Sequence, residues 1–468
     1  MKRLLSIVLS MTLLAGLLAG CNGGATSSAA SSTAASTSAS ASVSAKPVSI
    51  SLWVMPLYEA FIDDLKATYP AAITKAYPNI TLAPELLSWD AGPEKLTVAM
   101  ATGATPDFMN DVYARLAPGI DAKLCVDISD VITAEKDVIM AGFQTIGKVD
   151  GKNYYAATMT NNGYNFSVNV DLAKELGVFD LLPADKIHWS YDQFLNFCRK
   201  ATAAGKAKSI YATQLWAGSR SSDAAYYSFL MTGGTEITNK DLTACTGATA
   251  TAEASLAVLK TLIDEKLVPD GAATTKDEAV DPNFQAGKLV MILASAGAQT
   301  PITIYNKAKK GDIKGFACDF YQMPSPTGKT DPKVASFGTQ GFVAFTNKND
   351  ADKIAATKNA IKVWYATDLC GKVVKNSGVA PAVTNVTIDY GDATLNEQAK
   401  RAYEFNAKYA TSDFGILKGW WASFRETFYV QMQAFYTGTK TAKQALADWQ
   451  TNATAAIVKA NTATSSKK

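Results

Sequence analysis

Short apolar runs with strand-like alternation and segments with helical spacing follow one another along the first part of the chain. Residues 48–54 alternate between apolar and polar positions, and residues 57–69 then place apolar side chains at helical spacing. Residues 80–87 again resemble a strand, 93–102 a helix that Gly103 can end, and 106–109 a further strand. This order predicts an α/β fold with a largely parallel sheet.

Local signals mark turns and helix starts further along. The pair Asp150-Gly151 lies between two apolar stretches and predicts a type I′ hairpin turn. Ser190 followed by Gln193 forms a capping-box pattern before an apolar run, and residues 441–444 repeat that pattern. We therefore expect helices to begin at these two places.

The first twenty residues have the features of a secretion signal. A short basic start, with Lys2 and Arg3, precedes an apolar run over residues 4–18 that is too short to favour a spanning helix. The run ends in Leu-Ala-Gly-Cys at 18–21, which resembles the bacterial lipobox. That resemblance implies cleavage after residue 20 and acylation of Cys21, for example with palmitate, whereas an ordinary secretory signal with an incidental cysteine is the alternative.

Residues 21–47 consist almost entirely of small and hydroxyl side chains. Such a segment cannot bury a core, so we expect a flexible tether with a reach of roughly 25–30 Å. The folded body would then begin at residue 48. It would be held by lipid on the extracytoplasmic face of the cell membrane.

The amino-acid composition limits the kinds of function that the folded body can have. It is globular, with 48% hydrophobic and 19% charged residues, and a net charge of +3 gives no sign of a nucleic-acid partner. His188 is the one histidine in the sequence, which argues against a His-ligated metal site or a Ser-His-Asp triad. The five later cysteines include no C-x-x-C pair. We expect buried free thiols, with one disulfide as the alternative, and no metal or cofactor.

Five sequence motifs occur in a characteristic order. They are K-L-x-x-A-x-A-x-G-x-x-P-D at 95–107, D-G-K at 150–152, N-x-D-L-x-x-x-x-G at 169–177, W-x-x-x-x-F at 189–194 and F-x-x-G-K-x-x-M at 284–291. In this order they resemble the family 1 extracellular solute-binding proteins of ABC importers, of the carbohydrate-binding type. Two departures stand out: Ala157 replaces the usual proline after the hairpin, and residues 294–298 lack the tryptophan that the family commonly has there.

The resemblance implies an architecture and a function. It implies an α/β fold of the periplasmic-binding-protein-like type II, with two lobes, a three-segment hinge and a ligand cleft between the lobes. Lobe one would comprise 48–164 and 336–390, and lobe two 165–335 and 391–468. The chain would capture a sugar or oligosaccharide outside the membrane as a monomer and deliver it to the membrane subunits of an ABC permease.

A sugar presents apolar C–H faces and a rim of hydroxyl groups, which suit aromatic rings and planar polar side chains respectively. Residues of these types near the predicted strand ends and crossings, and Trp421 with Arg425 on one helix face, give the candidate ligand contacts. The candidates are Trp53, Trp89, Asp111, Arg115, Asn162, Tyr164, Trp216, Arg220, Gln340, Trp421 and Arg425. The alternative is core packing for Trp53, a solvated turn for Asn162 and Tyr164, and docking of the last helices for Trp421.

Two other classes of protein are compatible with this sequence. A secreted carbohydrate-active enzyme needs only two suitably spaced carboxylates, which 42 acidic residues always permit. A surface sensor or adhesion lipoprotein could share the same fold. The sequence has no G-x-S-x-G and no Walker A motif, and we expect a binding protein and not an enzyme.

Overall fold

The computed structural model describes residues 46–56, 62–89, 91–160, 163–336, 338–346, 349–384, 386, 388–411, 413–416 and 418–465. Residues 46–468 form one compact unit. The predicted signal peptide and most of the predicted tether, with Cys21, lie outside the described residues. In the described part of the chain, no helix is both long and apolar enough to cross a bilayer.

The strands form two main sheets and two short ribbons. In chain order they are β1 (Val48–Val54), β2 (Ile80–Leu86), β3 (Phe108–Val112), β4 (Lys148–Val149), β5 (Lys152–Asn153), β6 (Ala156–Thr160), β7 (Tyr164–Asn169), β8 (Met291–Ala296), β9 (Cys318–Tyr321), β10 (Val334–Ala335), β11 (Thr339–Ala344), β12 (Ala380–Pro381) and β13 (Ala410–Thr411). The six-stranded sheet has the order β12-β6-β11-β3-β1-β2, and the three-stranded sheet has the order β8-β7-β9.

The prediction of a largely parallel sheet is wrong in part. In the six-stranded sheet β1 pairs in parallel with β2 and β3, but β11 is antiparallel to both β3 and β6. The reason is that β11 begins at the edge of the sheet where β3 and β6 end, so it runs between them in the opposite direction. In the three-stranded sheet, β7 is antiparallel to both neighbours.

Helices cover both sheets. In chain order they are α1 (Tyr69–Ala76), α2 (Gly92–Thr102), α3 (Tyr113–Asp121), α4 (Ser129–Ala134), α5 (Val170–Glu175), α6 (Tyr191–Gly205), α7 (Ser222–Thr232), α8 (Ala250–Asp264), α9 (Val280–Gln285), α10 (Gln299–Lys310), α11 (Ala351–Ala366), α12 (Leu369–Ser377), α13 (Ala393–Tyr409), α14 (Trp421–Arg425), α15 (Tyr429–Tyr436) and α16 (Ala442–Ser465). A π-helical segment, Asp64–Thr68, leads into α1.

Separate hydrophobic cores define the two lobes. One face of the six-stranded sheet packs around Phe342 and Trp364, and the other face packs around Tyr155. A larger core surrounds the three-stranded sheet and includes Trp189 and Phe194. Each sheet thus has a core of its own, which is the organisation of a two-lobed α/β protein.

Several local predictions are confirmed. The turn between β4 and β5 has Asp150 and Gly151 at φ values of 49° and 80°, as a type I′ turn requires. The capping box at Ser190 and Gln193 is formed at the start of α6. Cys125, Cys198, Cys245, Cys318 and Cys370 are all buried and free.

Gly163, which lies between β6 and β7, makes close contacts with two segments that are distant in sequence. The backbone N–H of Gly163 donates to Oδ1 of Asn406 at 2.7 Å. A Cβ at this position would lie 2.4 Å from Cγ2 of Val334, so the close approach requires glycine. Because β10 pairs with β13 beside this contact, the chain between β6 and β7 is packed closely against both of these segments.

Candidate ligand cleft

The cleft-facing edge of lobe one is set by strand direction. Strands β1, β3 and β6 all end at this edge, and β7 of the second lobe begins directly beyond it. Helix α3, which follows β3, contacts α14 of lobe two. The loop before α14 also approaches α3, because a Cβ on Gly419 would lie 3.3 Å from Oδ2 of Asp121. Helix α3 and the segment that contains α14 therefore face one another between the lobes.

Three predicted residues of lobe one come together at this edge. Nε and Nη2 of Arg115 donate to the two carboxylate oxygens of Asp111, both at 2.6 Å, and Asp111 is buried. The guanidinium carbon of Arg115 lies 5.0 Å from the ring centroid of Trp89, which follows β2. The carboxylate fixes the plane of the guanidinium, and the ring supports its face.

Trp53, also in lobe one, has a cationic partner that the sequence did not indicate. The ammonium nitrogen of Lys95, on α2, lies 4.2 Å from the ring centroid of Trp53 and pairs with Glu85. The ring of Trp53 is half-buried. Trp53 and Trp89 are thus two partly exposed aromatic rings, each with a cation on its face.

Lobe two supplies a second paired arginine. Nε and Nη2 of Arg425 donate to the carboxylate of Asp223 at 2.6 and 2.7 Å. Asp223 is fully buried, and the Arg425 side chain is 13% exposed. Burial alone would lower the pKa of Arg425, but the charge and hydrogen bonds of Asp223 raise it above its usual value. Each lobe therefore presents one guanidinium that a buried carboxylate holds in a fixed direction.

The charges of both arginines act on the hydroxyl group of Tyr164. Burial raises the pKa of its hydroxyl to about 12. The charge of Arg425 opposes that rise, the carboxylates of Asp223 and Asp277 add to it, and Arg115 opposes it from lobe one. The charges of both lobes therefore act on this one phenol. In its neutral form it can both donate and accept a hydrogen bond.

Tyr164 should stay protonated well above the ordinary tyrosine range. At pH 10, where a free tyrosine is about half ionised, the difference in phenolate absorbance between the wild-type chain and a Tyr164→Phe variant should be close to zero. The difference should appear only as the pH approaches 12. If the phenolate absorbance of the variant near pH 10 were lower than that of the wild-type chain by the contribution of one ordinary tyrosine, the environment described for Tyr164 would be wrong.

A polar loop of lobe two, residues 219–221, holds Asp277, one of the carboxylates that act on Tyr164. Ser219 and Ser221 donate to the two oxygens of Asp277, at 3.0 and 2.6 Å. Between them Arg220, a predicted contact, pairs with Glu426 at 2.8 Å. These hydrogen bonds fix the loop that precedes α7.

Three predicted contacts are enclosed by protein. Trp216 is 1% exposed and packs against Tyr226, and Trp421 is 2% exposed, with Phe424 stacked on its ring. These two rings belong to the core of lobe two. Gln340 is completely buried at the start of β11. Asn162 lies outside the described residues.

Residue type alone did not identify the carboxylates that hold or influence these side chains. Asp223 lies 202 positions from Arg425, and Asp277 lies far from Tyr164 in sequence, so no local spacing connects them. Asp111 and Arg115 are different, because their separation of four residues is itself a pairing signal. Among the described residues, no group of three or more His, Cys, Asp or Glu side chains is placed to hold a metal.

The family assignment follows from comparison with known sequences. The family model for bacterial extracellular solute-binding proteins matches residues 58–362. The chain belongs to this family, whose members work outside the cytoplasm. A binding protein of Brucella abortus is 23% identical over 346 residues, which cover 73% of this chain and 78% of the relative.

Solved structures share the fold over almost their whole length. A chitin oligosaccharide binding protein has a TM-score of 0.72 at 20% identity, covering 88% of this chain and 99% of the other. An ABC substrate-binding protein from Listeria monocytogenes in complex with cycloalternan has a TM-score of 0.69 at 18% identity, covering 87% and 98%. Maltose-bound MalE3 of T. maritima has a TM-score of 0.68 at 18% identity, covering 86% and 98%. The predicted two-lobed fold is thereby confirmed.

Proposed function

We propose that this chain captures a neutral sugar or oligosaccharide outside the cell and delivers it to the membrane subunits of an ABC permease. The observation that carries the proposal is the pair of arginines at the cleft, each held by a buried carboxylate of its own lobe. Fixed donors of this kind suit hydroxyl groups, and the half-buried rings of Trp53 and Trp89 suit the apolar faces of a sugar.

The charge balance favours a neutral ligand over an acidic one. Each guanidinium already makes a bidentate contact with a protein carboxylate, so its charge is neutralised and the pair offers little net attraction to an acidic ligand. Neutral hydroxyl groups can instead share the remaining donors without breaking either pair. The ligands of the similar structures, cycloalternan, chitin oligosaccharide and maltose, support this class.

The proposed function also includes processing of the N-terminus, a lipid tether and a division of the body into two lobes. Residues 1–20 would be removed as a signal peptide, and an acylated Cys21 with the 21–47 tether would hold the body near the permease. Lobe one would comprise 48–164 and 336–390, and lobe two 165–335 and 391–468. The chain would act as a monomer without a cofactor and release its solute chemically unchanged.

A thermal-shift screen tests the binding proposal. The screen would compare maltotriose, a chitin oligosaccharide and cycloalternan with glucuronate as an acidic control. A ligand that binds only the folded state raises the unfolding midpoint, and we expect this from at least one neutral compound and not from glucuronate. Replacing Trp89 by alanine should weaken that binding at least tenfold by calorimetric titration, since the ring supports both the sugar and Arg115.

Tyr403 provides a matched control for this screen. It is an aromatic side chain on α13 that is 58% exposed, so Tyr403→Ala should leave the affinity unchanged. Binding of glucuronate alone, or equal affinity in the Trp89 variant, would contradict the proposed cleft. Chromatography of the oligosaccharide after prolonged incubation distinguishes the secreted enzyme, because shortened products would appear only with catalysis.

A further inference from the structure

Two buried amide side chains lie next to each other on one face of the six-stranded sheet. Gln340 pairs with Val112 across β11 and β3, and Asn110 pairs with Phe342 two positions away. Paired residues and alternate residues along a strand share a face, so Asn110 and Gln340 point to the same side. Such diagonal neighbours are about 7–8 Å apart, which is within reach of one small group placed between them.

Neither side-chain amide has a hydrogen-bond partner in the part of the chain that the structure describes. Both side chains are 0% exposed, and no described residue donates to or accepts from Nδ2 and Oδ1 of Asn110 or Nε2 and Oε1 of Gln340. Buried amides in folded proteins are almost always paired, because desolvating them without compensation is unfavourable. Four unpaired atoms side by side therefore point to a polar group that this sheet accommodates from outside the chain.

The position of Gln340 connects this pair to the cleft. It is the second residue of β11, at the edge where the strand enters lobe one, and Gly338 just before it has a φ of 86°. The neighbouring strand β3 continues into α3, which carries Arg115. Gln340 therefore lies at the cleft-facing edge of the six-stranded sheet, where β3 and β6 end.

We propose that Asn110 and Gln340 together bind one hydroxyl group of the solute, at a subsite on the cleft-facing edge of the six-stranded sheet. An amide presents a donor and an acceptor, and a hydroxyl group is both as well, so two amides can hold one hydroxyl with directional hydrogen bonds. The proposal rests on the proposed function, since it assigns a specificity-determining position within the same cleft. It adds Asn110 to the ligand contacts and gives Gln340 a defined role.

Apolar replacements of similar size separate a ligand contact from a structural role. In Gln340→Met and Asn110→Leu the unpaired amide atoms are gone, so the unfolding midpoint without ligand should stay the same or rise. Affinity for the compound that the wild-type chain binds, among maltotriose, chitin oligosaccharide and cycloalternan, should fall at least tenfold in calorimetric titration. A purely structural amide would give the opposite pattern.

Asn169 supplies the matched control in lobe two. It is a buried asparagine whose Oδ1 accepts from the backbone N–H of Leu172 at 2.9 Å at the start of α5, so Asn169→Leu should lower the midpoint and keep the affinity. A lowered midpoint in Gln340→Met, measured without any ligand, would overturn the proposal, as would unchanged affinity in both cleft variants. A wild-type chain that binds none of the three compounds would overturn the proposed function, and this subsite with it.

Discussion

Replacing Asp223 by asparagine should lower the free energy of unfolding by about 3 kcal/mol, because it leaves Arg425 largely buried without its counter-charge. Removing one partner of a buried ion pair is costly, since the remaining charge keeps its desolvation penalty and loses its attraction. The same change should also weaken solute binding, because the Arg425 guanidinium loses the carboxylate that fixes its direction. Urea unfolding followed by tryptophan fluorescence measures the first effect, and calorimetric titration the second.

The pair formed by Arg199 and Glu265 is a suitable control for this variant. Its bidentate distances, 2.6 and 2.7 Å, match those of the Asp223 pair, but the two side chains are 46% and 40% exposed. Exposed pairs contribute less than about 1 kcal/mol, so Glu265→Gln should have a small effect and none on binding. Equal losses from the two substitutions would mean that burial does not set the strength of the Asp223 contact.

Replacing Arg115 by methionine should reduce solute affinity at least 100-fold and also destabilise the chain. The substitution keeps the apolar stem but removes a guanidinium that lies over the ring of Trp89 and that we propose contacts the solute. It also leaves the carboxylate of Asp111 buried and unpaired. Losses of this size are typical when one partner of a hydrogen-bonded charge pair is truncated at a binding site.

A double variant separates the two effects of that change. Adding Asp111→Asn to Arg115→Met removes the uncompensated charge, so most of the lost unfolding free energy should return. Affinity should stay low, because the guanidinium is still missing. If affinity recovered together with stability, Arg115 would matter only for folding, and the cleft assigned to it would be wrong.

Local sequence patterns were sufficient to predict elements that depend on neighbouring residues. The alternation at 48–54 predicts β1, and the side chains of Ser190 and Gln193 predict the start of α6, because each signal acts within a few positions. The position of β11 between β3 and β6 was not predictable in this way. It depends on a strand that is brought back from far along the chain.

The same distinction explains the candidate site. Arg115 and Trp89 were identified by residue type and by their places after predicted strands, and they do meet at the edge of lobe one. Trp421 and Arg425 share a helix spacing, but whether a ring faces solvent depends on distant residues. Phe414 contacts the ring of Trp421 from an earlier loop, and the ring is enclosed. Spacing alone carried no information about that packing.

A crystal structure of the chain with the oligosaccharide found in the thermal-shift screen tests the central claim most directly. We expect an intact saccharide between the lobes, in contact with Trp89 and Arg115 on one side and with Tyr164 and Arg425 on the other. A saccharide bound to only one lobe, for instance in the surface cavity of about 550 Å³ beside His188 and Trp189, would contradict it.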